Sequence, residues 1–152
     1  GPTVVGLTTE ISWHPDYPYM SSLTGQSCKE IADAYESDTG RQWSAELIFF
    51  ALMEWYVAAL QAATDPEDKE TIITALTSTK VETMYGPVDF TAPVDPTAEL
   101  EVTHPVPNCL RMPTAAGQWL KGEKWEYEKY LVSNKFVPGA KITEQVEEIK
   151  YS

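Results

Sequence analysis

The chain has 152 residues, and its 11 Lys and Arg against 23 Asp and Glu give a net charge of −12, with an isoelectric point near 4.5. That length fits one ordinary domain, and 43% hydrophobic residues with 11% aromatics is a globular composition. No basic cluster is present, which argues against nucleic acid or an anionic membrane surface as partner, because both need positive charge.

Thr3 to Ser12 is rich in Val, Thr and Ile and predicts a strand. It runs into Trp13-His14-Pro15-Asp16-Tyr17-Pro18-Tyr19, where two prolines forbid regular structure and rings crowd together. Cys28, Ile31, Ala32 and Tyr35 then recur at helical spacing, with Thr24 or Ser22 as start signals and Gly40 as the stop. Leu47 to Leu60, LIFFALMEWYVAAL, is apolar all round except for Glu54. As a helix begun at Ser44 and continued to about Ala63 it has no solvated face, so other structure must sheath it. The run is shorter than a bilayer requires and is interrupted by Glu46 and Glu54, so it is read as a central helix, wholly buried. Asp65-Pro66-Glu67-Asp68 opens a third helix with Ile72, Ile73 and Leu76 on its buried face.

Val81 to Phe90 is β-like and broken at Gly86-Pro87, and Ala92 to Pro107 holds four prolines and reads as a loop. Short strands are expected at 108–113 and 117–120, the latter turning at Lys121-Gly122, then at Tyr127–Ser133. Pro138-Gly139 starts the tail. The expected division is 1–91, the loop 92–107, and 108–152.

Catalytic chemistry has little to attach to. His14 and His104 each precede a proline, and no nucleophile elbow, phosphate loop or zinc-protease motif is present. The chain is therefore read as a non-enzyme without cofactor. Cys28 and Cys109 have no zinc-site spacing, and whether they pair stays open. Glu54 is either a perturbed functional carboxylate or one turned toward a backbone donor or water. The Trp13–Tyr19 loop offers rigid aromatic contact area for a small organic ligand, with Glu10 just upstream to orient a polar group. The alternative is a strand end packed by aromatics, and spacing alone does not separate the two.

The ordered set of segments carries a family resemblance. A strand ends in Trp13-x-Pro15-x-x-Pro18 and is followed by SSLTGQSCKEIADAYESDTGRQW. Then come the apolar helix, A-x-D-P-E-D-K-E-T-I-I-T-A-L from Ala63 and T-x-x-G-P-V-x-F from Thr83. His104-Pro105-Val106-Pro107-Asn108 and Gly117-Gln118-Trp119-Leu120-Lys121-Gly122 complete the set. From about Val4 to Val137 the chain resembles the C-terminal portion of ABC-importer solute-binding proteins of the branched-chain amino-acid type, with the type I periplasmic-binding fold. The resemblance implies an α/β chain from a two-lobed, Rossmann-like parallel-sheet fold, incomplete because members are over twice this length. The first part, 1–91, would hold a lobe-crossing strand and the helical part of one lobe, and 108–152 would return to the second lobe and hinge.

The implied function is capture of a small organic solute, such as an amino acid or aromatic compound, for delivery to a membrane permease. The implied location is the periplasm or cell exterior, including a cell-surface lipoprotein, and no signal peptide is expected within the chain itself. Trp13 with Glu10, His14 and Tyr17 would line the cleft, and Asn108 and Cys109 would lie near a lobe-crossing segment. The family also implies a sheet over the apolar helix. With that sheet missing, a second copy or complementary fragment is expected to cover helix 44–64. The other reading is a protein-assembly module with no ligand site of its own.

Overall fold

A computed structural model describes residues 5–91, 108–110 and 112–149. The element order is β1 (Thr8–Ile11), α1 (Cys28–Thr39), a 3-10 turn (Ala45–Ile48), α2 (Phe49–Ala62), α3 (Lys69–Ser78), β2 (Lys80–Thr83), β3 (Gly86–Asp89), β4 (Ala115–Lys121) and β5 (Tyr127–Ser133). These form two compact units. The first takes the chain up to Pro18, Gln26–Leu47 and the residues from Pro113 on, and the second takes Tyr19–Gly25 and Ile48–Met112.

The protein is a mixed α/β chain, but its sheets are antiparallel. In the first unit the strand order is β1-β4-β5, and in the second β2 pairs with β3. This corrects the expected Rossmann-like parallel sheet for the described residues. A parallel pair needs a long crossover, usually a helix, between its strands. Here β2 to β3 and β4 to β5 turn back through two and five residues respectively, which fixes antiparallel pairing.

In the first unit Ser27 caps α1, its hydroxyl accepting from Glu30 N while the Glu30 carboxylate accepts from Ser27 N, a full capping box. The start signal is therefore Ser27 instead of Thr24 or Ser22, whereas Gly40, in the left-handed region at φ 65°, ends the helix as expected. Cys28, Ile31 and Ala32 form the buried face. Of the expected strand 3–12, the described residues 5–12 form a strand over Thr8–Ile11; Tyr127–Ser133 is a strand as expected, and 117–120 lies inside β4. Gln118 on β4 is buried, and its amide donates to Gly6 O (2.7 Å) and Glu147 O (2.6 Å) while accepting from Glu147 N (2.9 Å). Leu131 N and O meet the Thr143 hydroxyl and amide, so the tail is laid against β5.

In the second unit α3 is capped by Asp68, whose side chain accepts from Glu70 N, while Asp65 closes the preceding turn through Glu67 N. The helical run Ala45–Ala62 is long and apolar enough, by length and composition alone, to cross a membrane, contrary to the expectation that it falls short. It is not wholly buried either: only Ala51, Glu54 and Ala59 of α2 are. Phe49, Leu52, Met53 and Tyr56, at i, i+3, i+4 and i+7, are 61, 53, 55 and 43% exposed and make one apolar stripe. Glu54 faces inward and accepts from Ser22 N (2.6 Å), the Ser22 hydroxyl (3.2 Å) and Met84 N (2.9 Å). Those bonds knit the helix to two other segments of its unit, which is how a helix is held in a protein core.

Candidate functional site

Residues 13–17 leave β1 through a tight turn in which Tyr17 N donates to His14 O at 3.0 Å. The turn folds the rings inward: Trp13, His14 and Tyr17 are all buried. The Tyr17 hydroxyl donates to Ile11 O (2.6 Å) and accepts from Ala115 N (3.1 Å), clamping the end of β1 to the start of β4. His14 Nδ1 accepts from Asp16 N (3.1 Å), so the ring proton sits on Nε2 and is donated to Lys129 O on β5 (3.0 Å). Burial pushes this imidazole below its ordinary 6.5, against the opposing pulls of the Lys129 carbonyl and the Asp16 carboxylate. Trp43 packs edge-on against both Trp13 (centroids 5.7 Å apart) and His14 (5.0 Å). The aromatic loop is thus the packed support of the first unit.

Its clamp holds the floor of a cleft of about 460 Å3 lined by Thr8, Thr9, Glu10, Thr114, Ala115, Ala116, Ser133, Lys135 and Phe136. The register explains the floor: Glu10 lies opposite Ala116, and Ala116 opposite Ser133, so one row crosses all three strands. The methyl groups of Ala115 and Ala116 leave space that larger side chains would fill, and a bulge between Ala116 and Gly117 breaks the β4–β5 ladder beside it. Four hydroxyl-bearing residues line the walls. Among the described residues the Glu10 carboxylate has no hydrogen-bond or ion-pair partner. The Lys135 ammonium lies over the Phe136 ring, 4.8 Å from its centroid. The cleft therefore offers one anion, one cation and a half-exposed aromatic edge to a small solute.

Of the residues singled out from the sequence, Glu10 is in this cleft, and Tyr17 fixes its floor through Ala115. Trp13 and His14 pack within the same unit without lining it. Asn108 and Cys109 lie in the second unit, in an apolar groove of about 410 Å3 with Phe49, Leu52, Trp55 and Phe90 among its walls. Asn108 adopts φ 57°, a left-handed conformation that Asn tolerates better than most side chains. No strand includes residues 108–110, 112 or 113, against expectation. No disulfide joins Cys28 to Cys109. His104 lies outside the described residues, as does the Pro-rich stretch 92–107. Sequence reasoning missed Lys135, Ser133 and Thr114, which no motif marks and only the strand register gathers. Among the described residues no group of three or more His, Cys, Asp or Glu is placed to hold a metal ion.

No family model, curated protein or solved structure matches the chain.

Proposed function

We propose that the chain is part of the extracytoplasmic solute-binding component of an ABC importer, taking a small organic solute for delivery to a membrane permease. The observation that carries the reading is the unpaired Glu10 carboxylate sharing one hydroxyl-lined cleft with Lys135. A zwitterionic amino acid matches it: its ammonium pairs with Glu10, its carboxylate with Lys135 and the hydroxyls, and its side chain reaches Phe136. Such charge-assisted hydrogen bonds orient a ligand without any bond being made or broken. The ordered sequence segments that resemble this transport family support the same reading.

The test is an amide-resolved NMR titration of the chain with a panel of amino acids, their decarboxylated amines and their deaminated acids. Saturable shifts at Thr9, Glu10, Ala116 and Ser133 are expected, strongest for solutes carrying both charges. Glu10→Gln should remove the preference for an ammonium group. No saturable shift at these amides for any solute overturns the reading.

One observation favours a second reading, an assembly module. The α2 stripe Phe49–Leu52–Met53–Tyr56 is apolar, contiguous and exposed. A second copy laid along it would bury the stripe with no solute involved. A tight oligomer with no response to any solute selects this reading.

A further inference from the structure

The first unit holds a further concave surface, which shares no lining residue with the Glu10–Lys135 cleft. It is an open groove of about 370 Å3 lined by Gln42, Trp119, Trp125, Glu126 and Tyr127, within the ~300–1,000 Å3 range of small-molecule clefts. Three of its five lining residues are aromatic, and because Lys129 lies over one face of Trp119 and Lys124 over one face of Trp125, a ligand would stack on their opposite faces. The rings are held in advance of any ligand. Trp125 sits in the β4–β5 turn with its indole N–H on Glu36 Oε1 (2.9 Å) and its backbone N–H on Glu128 Oε1 (3.0 Å). The Glu128 carboxylate also gathers Glu123 N and Lys124 N. Gly122 closes the turn where a Cβ would come within 2.4 Å of both Glu128 Cγ and the Trp125 carbonyl oxygen, so the loop has no slack. Trp119 stands on β4 opposite Lys129.

The polar groups select the ligand chemistry. Gln42 spends its amide N–H on Tyr127 O (3.0 Å), which leaves its carbonyl oxygen as an acceptor. Glu126 adds a carboxylate that the Tyr127 hydroxyl meets on one side. The Trp119 indole N–H has no acceptor among the described residues. The groove thus wants a molecule that donates several hydrogen bonds, accepts one, and presents an apolar face to the rings. An anion is opposed by Glu126 and by the net charge of −12. A cation is opposed because the Lys129 ammonium already lies 5.4 Å from the Trp119 centroid and 5.0 Å from that of Trp43.

We infer that this groove is a binding platform for a neutral polyhydroxylated ring, a pyranose sugar. Its C–H face stacks on Trp119 and Trp125, and its hydroxyls donate to Gln42 and Glu126. Rigid rings lose little conformational freedom on binding, which favours affinity from a small contact area. The site is distinct from the Glu10–Lys135 cleft and stands whether or not that cleft takes amino acids.

The five tryptophans give the test an internal reference. The indole N–H resonances of 15N-labelled protein are followed while glucose, maltose or cellobiose is added. Tetramethylammonium and indole serve as cationic and flat aromatic competitors. The expected result is saturable movement of the Trp119 and Trp125 signals with sugar, while Trp55, in the other unit, stays fixed. Gln42→Ala is expected to weaken sugar binding roughly tenfold, the effect of one lost hydrogen bond. Glu126→Ala, an exposed change with no expected effect on thermal melting, should weaken it several-fold. The proposal is overturned if neither indole moves up to about 100 mM sugar, two decades beyond a ~1 mM site. It is equally overturned if tetramethylammonium or indole binds the groove more tightly than every sugar. Amides at Thr9, Ala116 and Ser133 report the other cleft separately, so failure there does not enter this result.

Discussion

The Glu54 carboxylate in α2 receives the backbone N–H of Met84 at 2.9 Å, with no cation opposite it among the described residues. Met84 lies between β2 and β3, and the same carboxylate also accepts from Ser22, so one side chain joins three stretches of the second unit. A buried acceptor that serves several donors is expensive to remove, because each donor is left unsatisfied.

Glu54→Ala is therefore expected to destabilise the second unit by about 2–4 kcal/mol. Glu54→Gln should cost less, since one oxygen still accepts. Urea denaturation followed at Trp55, which lies in that unit, measures both. Equal stability of Glu54→Ala and the parent protein would refute this role.

His14 makes stability depend on pH. Its folded-state pKa is depressed below the ordinary 6.5 by burial. The unfolded chain therefore binds the proton first as pH falls, and stability is full above about 6.5 and declines below it, toward the lower folded value. The slope cannot exceed about 1.4 kcal/mol per pH unit for one proton. Comparing urea midpoints near pH 5 and pH 7 in the parent and in His14→Gln isolates the effect. The parent should lose more on acidification, and parallel losses would rule the histidine out.

Gly117 lies opposite Thr9 in the β1–β4 pair, and the Ile11 side chain lies over it. A Cβ there would lie 2.3 Å from Ile11 Cδ1 and 3.0 Å from Tyr130 O. Ile11 is itself buried, so Gly117→Ala is expected to cost about 1–3 kcal/mol through overpacking. Adding Ile11→Ala removes the nearest atoms, and a double-mutant cycle should show favourable coupling between the two changes. Strict additivity would mean the side chain gives way freely.

The α2 stripe predicts concentration-dependent association of the 17.0 kDa chain. The double variant Leu52→Glu/Met53→Glu, at exposed positions, is expected to shift it toward monomer with unchanged far-UV circular dichroism. Light scattering coupled to size exclusion decides this. A parent chain that stays monodisperse and monomeric at micromolar concentration would show that the stripe needs no cover.

Local signals were legible where the physics is local. Gly40 stops α1 because a left-handed residue is required there, and Tyr127–Ser133 was placed as a strand where the structure has one. Pairing direction was not legible, since it depends on which strands meet, and the family resemblance pointed to a parallel sheet. The short turns at Met84-Tyr85 and after Lys121 carried the better clue. Trp13, His14 and Tyr17 could be flagged as a cluster, but spacing cannot say whether a ring at a strand end turns inward. The structure turns all three inward. Glu10 was found because it neighbours that cluster, whereas Lys135 and Ser133 enter the cleft only through the Glu10–Ala116–Ser133 row.

Gln118 has a consequence for how the first unit opens. Its single amide group holds the backbone at Gly6 on one side and at Glu147 on the other. The leading segment and the tail are 141 residues apart along the chain, yet neither can peel away without breaking the bonds of the same side chain. They behave as one latch, so amide hydrogens around Gly6 and Glu147 should exchange with solvent at a common rate.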